Sequence, residues 1–184
     1  MTNSEFITMY AKATSSERVD MIMRRYPEFL DLVEGCTDGL LYIIETEKDY
    51  IWQKEKGELG VRVQTGTGPS DPTATLAIRR IMTKAALIDC DFSGGVLDSI
   101  VCGEELKRKA CILREMRQDY ALFKSLLVVL GPNRQLFEQY LRKEKTLTEI
   151  AEEQHILYES AQQKMNRMRS KMRLQVTVFM EGRL

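Results

Sequence analysis

From Leu97 to Leu130 the chain has no proline and one glycine, Gly103. Leu106, Leu113, Met116, Tyr120, Phe123, Leu127 and Leu130 recur along it at three- and four-residue steps or their sum. That spacing keeps apolar side chains on one face of an α-helix and on no single face of a strand. The sustained repeat is shorter than the roughly three to four heptads of a coiled coil. An intramolecular core face is therefore the first reading, and a dimer seam the second.

The rest of the chain points the same way. Four prolines and eleven glycines in 184 residues leave long stretches without a breaker. Ten methionines suit helical cores, because Met is a good helix former and an adaptable filler. The predicted class is all-α: a helical N-terminal region with a long helix leading into a C-terminal helix-turn-helix. Lys and Arg balance Asp and Glu at 27 each, so any nucleic-acid footprint is a local patch and not a coat over the whole surface.

Cys36, Cys90, Cys102 and Cys111 form no C-x-x-C pair, and His155 is the single histidine. A zinc site has little to draw on, and no cofactor is expected. Reduced thiols and a cytoplasmic location are the simple expectation. The N-terminus lacks the basic-then-apolar pattern of a signal peptide. The apolar run Ser125–Leu130 is far too short for a bilayer, so no membrane partner is expected.

Residues 1–130 form the predicted N-terminal region. Ser4 to about Ala13 reads as a short helix with Ser4 as its cap, and Ser15 or Ser16 as the cap of Glu17–Arg25. Pro27 opens a third helix to about Val33, and Gly35 punctuates. A longer helix from Thr37 or Asp38 carries Leu40, Leu41, Ile44, Ile51 and Trp52 near one face, with Trp52 as a core anchor. An irregular loop is expected over 57–71, with Val61–Gln64 extended and Gly66, Gly68 and Pro69 turning. Asp71 and Pro72 cap and start a helix with Leu76, Ile78, Ile81, Met82, Ala85 and Leu87, closed by Ser93-Gly94-Gly95.

Gly131-Pro132 ends the long helix and opens the predicted domain of 131–175, followed by an apolar tail, 176–184. Pro132 to about Lys143 is a helix with Leu136, Phe137, Tyr140 and Leu141 inward. Thr146 or Thr148 caps the next, in which Ile150 faces the core and Ala151 is small where two helices cross. His155 departs from the glycine that such turns often carry, although His is among the residues better tolerated in the left-handed conformation. Leu157 stands where a Ser or Thr cap is usual. From Tyr158, Ala161, Met165, Met168 and Met172 form an apolar stripe.

The opposite face of that last helix is polar and basic. Tyr158, Gln162, Gln163, Lys164, Asn166, Arg167, Arg169 and Arg173 are the candidate DNA-binding residues. Gln and Asn pair two hydrogen bonds with adenine, and Arg does so with guanine. Lys and Arg later in such a helix meet phosphates. From Gln162 to Arg173 there is no acid.

The stretch Thr146–Met172, with L-T-E-I-A-E, a turn and a Gln/Lys/Arg-rich helix, resembles the promoter-binding C-terminal domain of bacterial sigma factors. The segment from Gly60 to Ala74, which includes V-Q-T-G-T-G-P-S-D-P-T, is similar to the V-Q-T-S-x-x-S-D-P-T segment of phage regulators of the ArpU and RinA type. Gly66 replaces the serine of that pattern, and the resemblance spans about Leu40 to Leu174. It implies a regulator of phage or prophage late genes. Double-stranded DNA and host RNA polymerase are its implied partners, with a homodimer as an option.

No P-loop, Gly-x-Ser-x-Gly or H-E-x-x-H is present, and Glu104-Glu105, Glu152-Glu153 and Asp89/Asp91 read as solvated charges. The expectation is a non-enzymatic, sequence-specific DNA-binding transcriptional regulator. A small terminase-type packaging protein and a helical adaptor without DNA binding are the alternatives, the adaptor using the Leu106–Leu130 seam and the apolar tail.

Overall fold

A computed structural model of the chain describes residues 3–58, 72–98 and 100–182. Eight α-helices and one 3-10 segment account for most of these residues, and none of them is in a strand. The helices are α1 (Asn3–Lys12), α2 (Ser15–Arg24), α3 (Phe29–Glu58), α4 (Pro72–Asp89) and α5 (Gly103–Leu126). The 3-10 segment Leu127–Asn133 follows, then α6 (Arg134–Leu141), α7 (Leu147–Glu153) and α8 (Tyr158–Met180). The all-α class read from the sequence is observed, and no described helix is long and apolar enough to cross a membrane. Val61–Gln64, the glycine-rich turn, the Asp71 cap and most of the Gln64–Thr73 motif lie outside the described residues.

The chain divides into two compact units, one of Met1–Val33 with Glu115–Leu184 and one of Glu34–Arg114. The boundary read from sequence at residues 130 and 131 falls inside the first unit. Two sequence readings of helix starts change. Thr14, not Ser15 or Ser16, caps α2: its hydroxyl accepts from Glu17 N–H, and the Glu17 carboxylate accepts from Thr14 N–H. Helix α3 also runs on through Gly35 and Gly39 without a break. A helical glycine costs roughly 1 kcal/mol, which the buried Val33, Cys36, Leu40, Leu41 and Ile44 around the two glycines outweigh.

In the first unit an aromatic nest joins the N-terminal helices to the later part of α5. Phe6, Tyr10 and Phe29 lie with ring centroids 6.0–6.4 Å apart. Tyr120 stacks on Tyr26 and on Phe29, each at 5.5 Å. A buried phenol needs a hydrogen-bond partner. Tyr10 donates to the Asp119 carboxylate at 2.8 Å, and Arg18 stands 3.5 Å from the same carboxylate. Burial pushes the Asp119 carboxyl above its ordinary range, although Tyr10 and Arg18 both pull it down.

The seam on α5 is filled from within the chain: Leu106, Leu113, Met116, Phe123, Leu127 and Leu130 are all buried. Helix α5 ends at Leu126, earlier than the sequence suggests, and the chain tightens to 3-10 before Gly131. Gly131 has φ 56° and ψ −129°, a conformation that essentially requires glycine. Residues 176–180 of the expected tail form the last part of α8, and Val176 is fully buried.

In the second unit Leu40, Leu41, Ile44, Leu87, Leu97, Ile100, Leu106 and Leu113 are buried. The Glu47 carboxylate accepts from Val101 N–H at 2.8 Å, and Lys84 reaches Glu34 and Asp38 at 2.6 and 2.8 Å. Cys90 and Cys111 are joined by a disulfide with Cα atoms 5.4 Å apart. That corrects the expectation of four reduced thiols: their separation of 21 residues matches no local motif, and the pairing comes from helix packing. Trp52 is not the expected core anchor. It is 54% exposed: burial along α3 ends at Ile44, and none of residues 45–54 is buried.

Candidate nucleic-acid interface

The C-terminal part of the first unit is built from α6, α7 and α8. Helix α6 ends in a reverse turn with Lys143 at φ 60°, where Glu144 N–H bonds Gln139 C=O and Lys143 N–H bonds Tyr140 C=O. These two bonds satisfy carbonyls that the helix end would leave open.

Thr146, one of the two candidates from sequence, caps α7. Its hydroxyl accepts from Glu149 N–H at 3.3 Å, and the Glu149 carboxylate accepts from Thr146 N–H at 2.7 Å. Those bonds hold the Glu149 carboxyl below its ordinary value of 4.5. A lowered carboxyl stabilises the fold above the unfolded value, and that contribution is lost as pH falls through the lowered folded value. Thr146→Ala is expected to cost about 1 kcal/mol and to flatten the loss of stability below pH 4.5. Denaturant midpoints measured across that pH range check both.

In the turn between α7 and α8 the residue that departs from the usual glycine takes the left-handed conformation. His155 has φ 53°. Its N–H bonds Glu152 C=O at 3.1 Å, and Ile156 N–H bonds Ala151 C=O at 2.9 Å. A non-glycine residue pays roughly 1–2 kcal/mol there, and glycine returns roughly 0.5–1 of it as chain entropy in the unfolded state. His155→Gly should therefore raise stability by about 0.5–1 kcal/mol, read as a shifted denaturant midpoint with unchanged slope. Leu157 caps α8 with extended backbone and no side-chain hydrogen bond, as its side chain dictates.

Helix α8 is held from one side only. Ala161, Met165, Met168, Met172 and Val176 are buried, in contact with α7 and α2. Ile150 and Ala151 of α7 are buried opposite them. The face turned away carries Gln162, Gln163, Asn166 and Arg167, all exposed. No hydrogen bond or ion pair among the described residues engages these four. Tyr158 is half exposed at the start of the helix.

The remaining basic candidates are placed differently. Lys164 donates to the Gln154 side chain at 2.8 Å, which ties α8 back to the turn. Arg169 lies over the Tyr140 ring at 5.1 Å and donates to its hydroxyl at 2.9 Å. Arg173 gives two bonds to one Asp20 oxygen, at 2.9 and 2.7 Å. Arg169 and Arg173 thus hold α8 against α6 and α2. Gln162, Gln163, Asn166 and Arg167 are the groups left free to bind elsewhere.

The sequence marked Leu157 only as a departure at the cap position, not as a contact residue. It is 74% exposed beside Tyr158 at the start of α8 and offers an apolar contact next to the amides. The one signal available was a leucine where a small polar cap is usual. The chain matches no family model, no curated protein and no solved structure.

Proposed function

We propose that this chain is a sequence-specific DNA-binding transcriptional regulator of the phage or prophage late-gene type, acting from the cytoplasm of a bacterial host. The observation that carries the proposal is the face of α8. Two glutamines, an asparagine and an arginine stand exposed without internal partners, opposite a fully buried methionine stripe. Such groups hold hydrogen-bonding capacity that only water or a ligand uses.

Helix α8 enters the major groove from its N-terminal end. Gln162, Gln163 and Asn166 read base edges, and Arg167 takes a guanine or a phosphate. Leu157 and Tyr158 meet sugar or a thymine methyl group. Lys164 supplies a further phosphate contact near the turn, whereas Arg169 and Arg173 serve mainly to fix the helix. RNA polymerase contact, on the sigma-like resemblance of Thr146–Met172, belongs to the same proposal.

Fluorescence anisotropy on a mixed-sequence duplex, repeated across a salt series, tests it. Binding is expected to weaken with salt, and Arg167→Ala to reduce the slope of log K against log salt by about one. Absence of salt-dependent binding would leave the helical adaptor as the better reading.

A further inference from the structure

A cleft of about 370 Å³ in the first unit gathers cations from four stretches of the chain. Arg24 comes from the last turn of α2, Lys143 from the turn after α6, Lys145 from the residues before α7, and Arg169 from α8. No carboxylate lines it among the described residues. Lys145 reaches Glu153, and Arg169 gives one bond to the Tyr140 hydroxyl. Arg24 and Lys143 are exposed, and no hydrogen bond or ion pair among the described residues engages them. Like charges held around one cleft repel each other, and an anion relieves that repulsion.

The backbone adds a second observation. Lys143 stands in the left-handed region at φ 60°, where glycine is at ease and a lysine is strained. The two backbone bonds of that turn need no side chain, so what the lysine adds is an ammonium at the cleft. We infer that the cleft binds a phosphate group. Guanidinium and ammonium donors suit phosphate oxygens, and a guanidinium can take two of them at once. The volume lies at the low end of the roughly 300–1,000 Å³ of ligand pockets, which fits a phosphate with its sugar and not a large cofactor.

Arg169 indicates the source of that phosphate. It follows Gln162 by seven residues, close to two helical turns. It therefore lies on nearly the same side of α8, about 10 Å further along. The major groove of a duplex is roughly 12 Å wide and bordered by phosphates. With Gln162 at base edges, the cleft meets a backbone phosphate beside the groove that α8 enters. This source rests on the proposed function; the affinity of the cleft for phosphate does not.

Two measurements on the full chain test this, one with a duplex and one with inorganic phosphate alone. Arg24→Gln and Lys143→Gln together should lower the slope of log K against log salt by about two, and weaken duplex binding about tenfold or more at ~0.1 M salt. The motif enriched from a random pool should not change, because phosphate contacts carry no sequence information. Lys12→Gln with Lys124→Gln, exposed lysines that do not line the cleft, should leave the slope within about 0.5 of wild type. In thermal denaturation at fixed ionic strength, inorganic phosphate should raise the Tm of wild type more than that of R24Q/K143Q. The general effect of the salt is common to both proteins, and only a bound anion adds to it. Both replaced side chains are exposed, and circular dichroism checks that the variant folds. An unchanged duplex slope with the Tm difference intact keeps the cleft and makes its ligand a free phosphorylated molecule. R24Q/K143Q behaving as wild type in both measurements would overturn the inference. So would an equal loss of slope in K12Q/K124Q.

Discussion

Replacing Gln163, Asn166 and Arg167 together by alanine is expected to weaken binding to a preferred duplex by about 3 kcal/mol or more, two decades or more in Kd. Each good bidentate contact to a base is worth roughly 1–3 kcal/mol of discrimination. The three side chains are exposed and lack internal partners, so their truncation leaves the fold intact. Affinity for non-preferred duplexes should fall much less, and sequence preference should narrow toward none. Arg173→Ala gives the contrast. Its ion pair with Asp20 is partly exposed, with side chains 44% and 29% accessible, so the change costs stability of about 1 kcal/mol or less. Its effect on the salt slope should be small, because the guanidinium already has a carboxylate.

The second large effect is on stability. Met165→Ala should destabilise the chain by about 2–5 kcal/mol, whereas Asn166→Ala, one residue on, should change stability by less than about 0.5 kcal/mol. Met165 is 1% exposed in the stripe against α7 and α2, and its loss leaves a cavity. Asn166 is exposed, and no hydrogen bond or ion pair among the described residues engages it. The difference is a large share of the roughly 5–15 kcal/mol that holds a domain together. Chemical denaturation of both variants checks it, and equal effects would mean that α8 is turned differently on the unit.

Where the sequence spoke through periodicity, it spoke well. The α5 seam and the α8 stripe were legible because burial follows a three-to-four spacing whatever the partner helix is. The sequence marked His155 as a departure from the glycine usual in such turns, and the backbone accommodates it in the left-handed region. What sequence left open depended on tertiary partners. Trp52 looked like core by residue type and spacing, but burial along α3 ends at Ile44, two turns before it. Gly35 looked like a stop, but buried neighbours on both sides carry the helix through it. Arg169 and Arg173 looked equivalent to Arg167 along the helix. Only the positions of Tyr140 and Asp20, on α6 and α2, separate arginines that hold the fold from one free to bind. The cysteine pair was illegible for the same reason, since two helices bring it together.

Selection of the full chain against a random duplex pool, followed by sequencing, tests the central proposal most directly. Wild type should enrich a defined short motif, and the Gln163, Asn166 and Arg167 triple variant should enrich none. No enrichment by wild type, or the same motif from both proteins, would contradict the assignment of α8 as the helix that reads DNA.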